Sequence, residues 1–200
     1  FSTSVDGGVM ITASHNPPED NGLKVSGRGS VPVGYDSGLA RLESLVAGPL
    51  PAPAARPASI AALDIRRDYV RHLARFRSDL SRLKVVIDCS NGTVGIYLRD
   101  ALEGTGGRFS FLFEEPDGTF PNHPPNPLVE ENLAALKARV LAEKADLGVC
   151  FDGDADRVMF VDERGRFVSP DLVIGLIGTW YFGLHPDRGE GASRAVTYDV

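Results

Sequence analysis

The sequence has few cysteines, and the two it has, Cys89 and Cys150, match no disulfide or metal-binding spacing. Both lie in apolar segments that indicate strands, so we expect buried, reduced thiols in a cytoplasmic protein. No run approaches the roughly 20 apolar residues of a membrane span, so no membrane partner is expected. The pattern G-x-G-x-x-G is also absent, which argues against a dinucleotide site.

Basic residues are also too few to give the chain a positive net charge. The 21 lysines and arginines are outnumbered by 27 aspartates and glutamates, which gives a net charge of −6. Broad nucleic-acid binding depends on neutralising phosphates with basic residues, so no nucleic-acid partner is expected. The apolar share of 42% and the charged share of 24% are ordinary for a globular protein. A chain of 200 residues can bury a core in one large or two small domains.

Acidic residues are concentrated directly after one apolar run. Segment 152–157 (DGDADR) follows segment 147–151 (LGVCF). In an extended strand its three carboxylates would spread over about 13 Å. A single Mg²⁺ holds its oxygen ligands at about 2.0–2.1 Å, so the segment must curl into a loop if all three bind one ion. Carboxylate oxygens prefer hard cations, and the segment therefore predicts a metal site formed by Asp152, Asp154 and Asp156.

Three other interpretations of this acidic segment remain open. The three aspartates and Glu163 occupy positions 1, 3, 5 and 12 of a calcium-binding EF-hand loop, but Arg157 stands where that loop needs glycine. In an aspartyl-phosphate phosphatase, Asp152 would be the nucleophile and Asp154 the acid or base. Such enzymes expect Thr or Val two residues after the second aspartate, where this chain has Asp156. The segment could also be a solvated acidic turn.

A second polar motif follows an apolar strand near the start of the chain. Segment 12–18 (TASHNPP) contains the turn signal Asn16-Pro17, which places Ser14 at the tip of a loop. No G-x-S-x-G elbow surrounds Ser14, so an acyl-transfer hydrolase is poorly supported. A serine in a turn is often only a capping residue. With a hard-metal site elsewhere in the chain, Ser14 is better interpreted as a phosphoryl carrier.

Five segments together resemble the α-D-phosphohexomutases. They are 8–17 (GVMITASHNP), 21–24 (NGLK), 86–92 (VIDCSNG), 115–123 (EPDGTFPNH) and 151–157 (FDGDADR). Their order and spacing are similar to those of the family from about Gly8 to Val200. Within the family, the similarity is greatest to the bacterial phosphomannomutase/phosphoglucomutase branch.

The resemblance implies a role for each matching site residue. Ser14 would carry the phosphate, and the three aspartates would hold Mg²⁺ together with a phosphate oxygen on Ser14. His15 and Lys24 would be catalytic residues beside the transferring group, with Lys24 the better candidate for proton transfer or charge stabilisation. Arg157 would bind phosphate. The chain departs from the usual metal loop at Ala155, where the family has glycine, and we expect the methyl group to be tolerated unless that position needs a positive φ.

The resemblance also implies a reaction. A phosphohexomutase interconverts hexose 1-phosphate and hexose 6-phosphate, here of mannose or glucose, through the phosphoserine and a 1,6-bisphosphate. Mg²⁺ is the implied cofactor, glucose 1,6-bisphosphate the activator or intermediate, and a hexose phosphate the substrate. Phosphoglucosamine mutase shares both motifs and is an alternative, as is a non-catalytic sugar-phosphate-binding relative. His123 lies in a segment shared with the family, but a lone histidine among prolines favours a packing or surface role.

The expected fold class is α/β, with mixed, mostly parallel sheets covered by helices, as a fragment of a four-domain phosphohexomutase. Residues 1–60 would be the C-terminal part of domain 1 with the phosphoserine loop, 61–166 domain 2 with the metal loop, and 167–200 the truncated start of domain 3. Predicted strands are 9–12, 23–25, 84–88, 147–151 and 158–161. Predicted helices are 36–46, 64–80, 132–144 and 172–181, the last capped by Asp171 and expected in the core, while 47–59 reads as a linker.

Overall fold

The computed structural model describes residues 5–49, 52 and 58–184. Part of the predicted linker 47–59 lies outside the described residues. The strands are β1 (Gly7–Ile11), β2 (Leu23–Gly27), β3 (Lys84–Asp88), β4 (Arg108–Leu112), β5 (Leu147–Phe151), β6 (Val158–Asp162) and β7 (Phe167–Val168). The α-helices are α1 (Ala40–Val46), α2 (Arg66–Leu73), α3 (Leu98–Leu102), α4 (Ala134–Glu143) and α5 (Pro170–Leu184). The fold is therefore the expected mixture of α and β elements.

A five-stranded sheet organises most of the chain. Its order is β4-β3-β5-β6-β7, with β3 parallel to both β4 and β5 and with β6 antiparallel to its two neighbours. Asp88 at the end of β3 is opposite Leu112 and Cys150. The carboxyl ends of the three parallel strands therefore meet at one edge, where the loops that follow them lie together. The strands β1 and β2 form a separate antiparallel pair.

Both faces of the five-stranded sheet are covered by apolar side chains, as expected for parallel strands. On one face, Val86, Cys150 and Val161 pack with residues of α4. On the other face, Val85, Ile87 and Cys89 form a second cluster. The two cysteines thus lie on opposite faces of the sheet, and burial raises the pKa of each thiol to about 12. This agrees with the predicted buried, unpaired thiols.

Helix α4 lies directly on β5 because β5 contains a glycine at the contact. A Cβ atom at Gly148 would come within 2.8 Å of Val140 and 3.1 Å of Leu136, closer than packed side chains allow. The helix ends at Glu143, and the next residue, Lys144, adopts a left-handed conformation with φ 49° that turns the chain toward β5. This packing sets the position at which β5 ends and the acidic loop begins.

Several predicted boundaries were wrong. The predicted helix 64–80 ends early: α2 stops at Leu73 and a 3₁₀ turn extends it only to Phe76. Arg77 is extended, and its guanidinium donates hydrogen bonds to backbone carbonyls at the end of α3, which hold the chain away from a helical path. The sequence prediction also missed α3, β4 and β7, which are short elements fixed by packing on the sheet.

Helix α5 differs from its prediction in two ways. It begins at Pro170, so Asp171 lies within the first turn and cannot be the N-terminal cap. Its large apolar side chains are exposed, among them Leu172, Leu176 and Trp180, so the expected core position is not found within the part of the chain that the structure describes. Among those residues no helix is long and apolar enough to cross a membrane.

Candidate active site

The candidate site forms where two loops meet at the carboxyl edge of the sheet. Loop 152–157 connects β5 to β6, and loop 12–22 connects β1 to β2. A Cβ atom at Gly153 would lie 2.4 Å from the carbonyl oxygen of Ser14, so only glycine allows the two backbones to approach this closely. This contact brings the two polar motifs of the sequence together.

Loop 152–157 curls as a shared metal site requires. The backbone N–H of Asp152 donates to the carbonyl of Arg157 at 3.2 Å, and the N–H of Arg157 donates to Asp152 Oδ1 at 3.2 Å. Asp152, Asp154 and Asp156 each present a carboxylate oxygen within 4.8 Å of the others. Three hard oxygen donors this close suit a divalent cation such as Mg²⁺. The donor set therefore fits the predicted metal.

Glu163 takes no part in this cluster. It follows the last residue of β6, and its carboxylate lies 3.3 Å from the neighbouring Arg164. A strand occupies the second half of what would be an EF-hand loop. The structure thus gives no support to the calcium-loop interpretation.

The hydroxyl group of Ser14 lies against two of the three aspartates. Ser14 Oγ is 3.0 Å from Asp152 Oδ2 and 3.2 Å from Asp154 Oδ1, so it donates its proton to these carboxylates. Ser14 has a φ of 54°, a left-handed conformation that few residues other than glycine adopt. The Oγ atom of Thr12 accepts the backbone N–H of Ser14 at 2.9 Å and supports this turn.

Three basic side chains surround the serine and the aspartates. Lys24 Nζ lies 2.7 Å from Asp154 and 2.8 Å from Asp156. His15 Nδ1 lies 3.3 Å from Ser14 Oγ, while His15 Nε2 is 3.5 Å from a guanidinium nitrogen of Arg157. Because arginine can only donate, Nε2 must accept, and Nδ1 then carries the proton toward Ser14. The order of donation is therefore arginine to histidine, histidine to serine, and serine to aspartate.

The two aspartates that contact Ser14 differ in acidity. Burial raises the pKa of Asp152, and the neighbouring carboxylates add to that effect. Burial also acts to raise the pKa of Asp154, but hydrogen bonds from Lys24 and Thr12 outweigh it and hold that pKa below its usual range. The hydrogen bonds that Lys24 donates to Asp154 and Asp156 raise the pKa of Lys24 in turn. Negative charge in the loop is thus compensated mainly at its exposed side.

A turn after β3 supports the acidic loop from behind. The buried Ser90 donates its hydroxyl to the carbonyl of Phe151 at 2.6 Å, directly before the first aspartate. The backbone N–H of Thr93 donates to the carbonyl of Gly153 at 3.0 Å. Both carbonyls are fixed by these bonds, so the loop has a defined backbone on either side of Asp152.

His123 forms a buried ion pair behind the same turn. Its Nε2 atom is 3.1 Å from Asp88 Oδ2, and its Nδ1 atom is 2.8 Å from the carbonyl of Pro124. Both ring nitrogens face acceptors, which the doubly protonated ring satisfies. The side chain of Asp88 is fully buried and that of His123 is 9% exposed. The ring also packs edge-on against Phe113, in accord with a packing role.

Every residue predicted for the site lies in this one cluster: Ser14, His15, Lys24, Asp152, Asp154, Asp156 and Arg157. Sequence reasoning missed the supporting contacts from Thr12, Ser90 and Thr93, and the pairing of His123 with Asp88. A threonine two residues before a turn serine is a recognisable local signal, so Thr12 could have been found. The other contacts join segments distant in the chain and carry no such signal.

The chain matches two domain models of one family. Residues 1–49 match "Phosphoglucomutase/phosphomannomutase, alpha/beta/alpha domain I", and residues 67–165 match "alpha/beta/alpha domain II" of the same family. The chain belongs to the phosphoglucomutase/phosphomannomutase family. The two matched ranges contain the serine loop and the acidic loop respectively.

Relatives of known name agree with this assignment. The chain is 38% identical to a phosphomannomutase of Salmonella montevideo over 197 residues, which are 93% of this chain and 43% of that protein. It is 38% identical to a phosphomannomutase/phosphoglucomutase of Pseudomonas aeruginosa over 169 residues, 84% of this chain and 36% of that protein. The chain therefore spans well under half the length of these relatives.

A solved structure shares the architecture. It is that of a phosphoglucomutase/phosphomannomutase family protein from Burkholderia thailandensis, with a TM-score of 0.76 and 32% identity. The likeness covers 90% of this chain and 39% of that chain. The fold seen here is thus a fold of the family.

The ion pair of His123 and Asp88 should make stability depend on pH. Burial acts to lower the pKa of His123, but the hydrogen bond with Asp88 outweighs it, and the net pKa is raised above 6.5. The pair should stabilise the fold fully below pH 6.5 and lose this effect as the pH rises through the raised pKa. His123→Leu should cost about 3 kcal/mol at the acidic end and clearly less at the alkaline end.

Urea unfolding of both proteins between about pH 6 and 9 would measure this difference. The Asp88→Asn variant should lose the same pH dependence, because it removes the other partner. If the free energy of unfolding changed with pH equally in the original chain and in His123→Leu, this would contradict proton uptake by His123 on folding.

Ala155 meets the one condition under which its methyl group is unfavourable. Its φ is 62°, in the left-handed region that costs a residue with a Cβ atom about 1–2 kcal/mol. Ala155→Gly removes that cost but raises the conformational entropy of the unfolded chain, which offsets part of the gain. We therefore expect a net stabilisation of about 0.5–1 kcal/mol. Ala138→Gly in the exposed face of α4 is the matched control and should destabilise by about 1 kcal/mol. Denaturant unfolding would measure both, and a loss of stability in Ala155→Gly would contradict the strain argument.

Proposed function

We propose that this chain forms the phosphoserine- and metal-binding part of a phosphohexomutase, an isomerase that transfers phosphate between a hexose and Ser14. The observation that carries the proposal is the position of Ser14 Oγ, within hydrogen-bonding distance of two aspartates of a three-aspartate cluster. Family membership supports the same function. A cavity of about 440 Å³ opens beside Ser14 and leaves room for a bound phosphate group.

Charge explains why a cation belongs in this arrangement. In the free serine, a hydroxyl proton lies between Ser14 and the carboxylates. Phosphorylation replaces that proton with a group of about −1.5 to −2 charge beside three carboxylates. Mg²⁺ held by Asp152, Asp154 and Asp156 would offset this charge and polarise the phosphoryl group. We therefore propose Mg²⁺ as the cofactor.

The remaining side chains then have complementary tasks. Lys24 contacts Asp154 and Asp156, and Arg157 contacts His15. Both side chains are positively charged and lie near the serine, so both can hold phosphate oxygens. His15 presents its Nδ1 proton toward Ser14 Oγ and can stabilise that oxygen as the phosphate leaves. Lys24 is 51% exposed on its side chain, which leaves it free to turn from Asp154 toward a sugar hydroxyl. We propose it as the residue that donates or receives the proton there.

An aspartyl-phosphate mechanism fits the geometry less well. Both carboxylate oxygens of Asp152 accept hydrogen bonds, one from the backbone of Arg157 and one from Ser14. Asp152 is also fully buried. A nucleophile needs an accessible lone pair in line with the phosphorus that it attacks. Of Ser14 and Asp152, only Ser14 borders the cavity.

The substrate class follows from the relatives. Those compared are named phosphomannomutase and phosphomannomutase/phosphoglucomutase, so we propose a hexose phosphate of mannose or glucose as the substrate. Glucose 1,6-bisphosphate would then be the activator or intermediate that loads Ser14. The domain limits 1–60, 61–166 and 167–200 stay a prediction, as does the cytoplasmic location, which the two buried thiols support.

Ser14 should carry the phosphate. Incubation of the protein with glucose 1,6-bisphosphate and Mg²⁺ should add one phosphate that is stable to acid, located on Ser14 by peptide mass spectrometry. Ser14→Ala should take up none, and mutase turnover of the complete protein should fall roughly a thousandfold or more. Ser26→Ala, in β2, is the control and should be loaded normally. Phosphate found on Asp152, or full turnover by Ser14→Ala, would contradict the proposal.

The three aspartates should bind a divalent cation. Asp154→Asn keeps the size of the side chain but removes a charged ligand, so its affinity for Mn²⁺, measured by electron paramagnetic resonance, should fall at least about tenfold. Glu163→Gln is the matched control, because that carboxylate lies outside the cluster, and its affinity should not change. Equal losses in both variants would mean that the ion is held by overall charge alone.

A further inference from the structure

The hydroxyl group of Thr12 joins the serine loop to the acidic loop. It accepts the backbone N–H of Ser14 at 2.9 Å and donates its own proton to Asp154 Oδ2 at 3.0 Å. The backbone N–H of Thr12 is bonded to the carbonyl of Gly22 at 3.0 Å, so the residue is anchored at the base of its loop. One rigid side chain thus contacts both the phosphoryl carrier and a candidate metal ligand.

The backbone of Ser14 needs such a support. Its left-handed conformation is unfavourable for a residue with a Cβ atom, and the turn made by the Thr12 hydroxyl compensates for part of that cost. The chain continues into the turn at Asn16, whose N–H bonds to the carbonyl of Ala13 at 3.0 Å. If the Thr12 hydroxyl were absent, the N–H of Ser14 would lose its acceptor and the loop could relax.

Phosphorylation of Ser14 does not remove the proton that Thr12 donates to Asp154. When Ser14 carries phosphate, its Oγ has no proton and can no longer donate to Asp152 or Asp154. The Thr12 hydroxyl keeps its proton in both states. Lys24 also contacts Asp154 Oδ2, at 2.7 Å, but its side chain is half exposed and reaches across from β2. Within the described residues, Thr12 is therefore a short neutral link between the two loops whose donor proton is kept when Ser14 is phosphorylated.

We propose that Thr12 is a positioning residue that keeps Ser14 and Asp154 in register while phosphate is added to and removed from Ser14. The part of this inference that concerns the phosphate cycle rests on the proposed function. The register itself is a property of the structure and can be measured without turnover.

The test compares Thr12→Val with Thr12→Ser. Valine keeps the shape and removes both hydrogen bonds, whereas serine keeps the hydroxyl. In Thr12→Val, exchange of the Ser14 amide proton, followed by nuclear magnetic resonance, should accelerate at least about tenfold, and Mn²⁺ should bind about tenfold more weakly. Thr12→Ser should stay within about threefold of the original chain in both measurements. A merely structural role of the side-chain volume would give the opposite order, because valine fills the space better than serine.

Phosphate loading from glucose 1,6-bisphosphate separates this inference from the proposed function. If the unmodified protein is loaded on Ser14, Thr12→Val should be loaded at least about tenfold more slowly and Thr12→Ser nearly normally. If the unmodified protein is not phosphorylated, the proposed phosphoserine function is wrong. The role of Thr12 is then decided by two measurements, the exchange rate of the Ser14 amide proton and the affinity for Mn²⁺. A Thr12→Val protein that is folded by circular dichroism and matches the original chain in both of those measurements would overturn the inference.

Discussion

The rest of the candidate site depends on the hydrogen bonds from Ser14 to Asp152 and Asp154. In the sequence these aspartates lie 138 and 140 positions after Ser14. The hydrogen bonds are possible because Gly153 lets the two backbones touch. Each loop alone has an ordinary structure: one is a turn between two strands, the other an acidic turn after a strand. Their contact brings a weak nucleophile beside a set of hard oxygen ligands, and that combination has a definite chemistry.

The five-stranded sheet provides the rigid side of this contact. Parallel strands end at a common edge, so the turn after β3 and the loop after β5 are neighbours. Ser90 and Thr93 donate hydrogen bonds to backbone carbonyls on either side of Asp152. At the end of β3, directly before this turn, Asp88 forms its ion pair with His123. Loops carry the reactive groups, and hydrogen bonds from the turn after β3 fix where the acidic loop lies.

Four of the eight non-glycine residues with positive φ in the described part of the chain lie at the same place. Ser14, Ser90, Asn91 and Ala155 all have positive φ values, and all lie in the loops that form the site or support it. Unfavourable conformations of this kind persist only where surrounding contacts compensate for them. The hydroxyl of Thr12 supports Ser14, the N–H of Ser90 bonds to Asp88 within its own turn, and the side chain of Asn91 bonds to the carbonyl of Glu115. At Ala155 no hydrogen bond of the side chain can do so, because alanine has no polar group.

Much of this protein could be predicted from the sequence. The alternation of apolar segments identified the strands around Ser14 and the β3 and β5 strands, because such segments must be buried to be stable. The order and spacing of five segments gave the resemblance to the family, and that resemblance implied the roles of the candidate site residues. Local patterns were less informative for short elements such as α3 and β7, and they misplaced the end of α2, because these depend on packing and on hydrogen bonds from Arg77 to a distant helix.

The tertiary structure alone decided how the reactive residues meet. The sequence contained no sign that Thr12 would reach Asp154 or that His123 would pair with Asp88, and it left open whether Ala155 would have a positive φ. These features depend on distances between segments far apart in the chain, which are set by how the strands and helices pack. The chemical types of the side chains were thus determined by the sequence, and their geometry was determined by the fold.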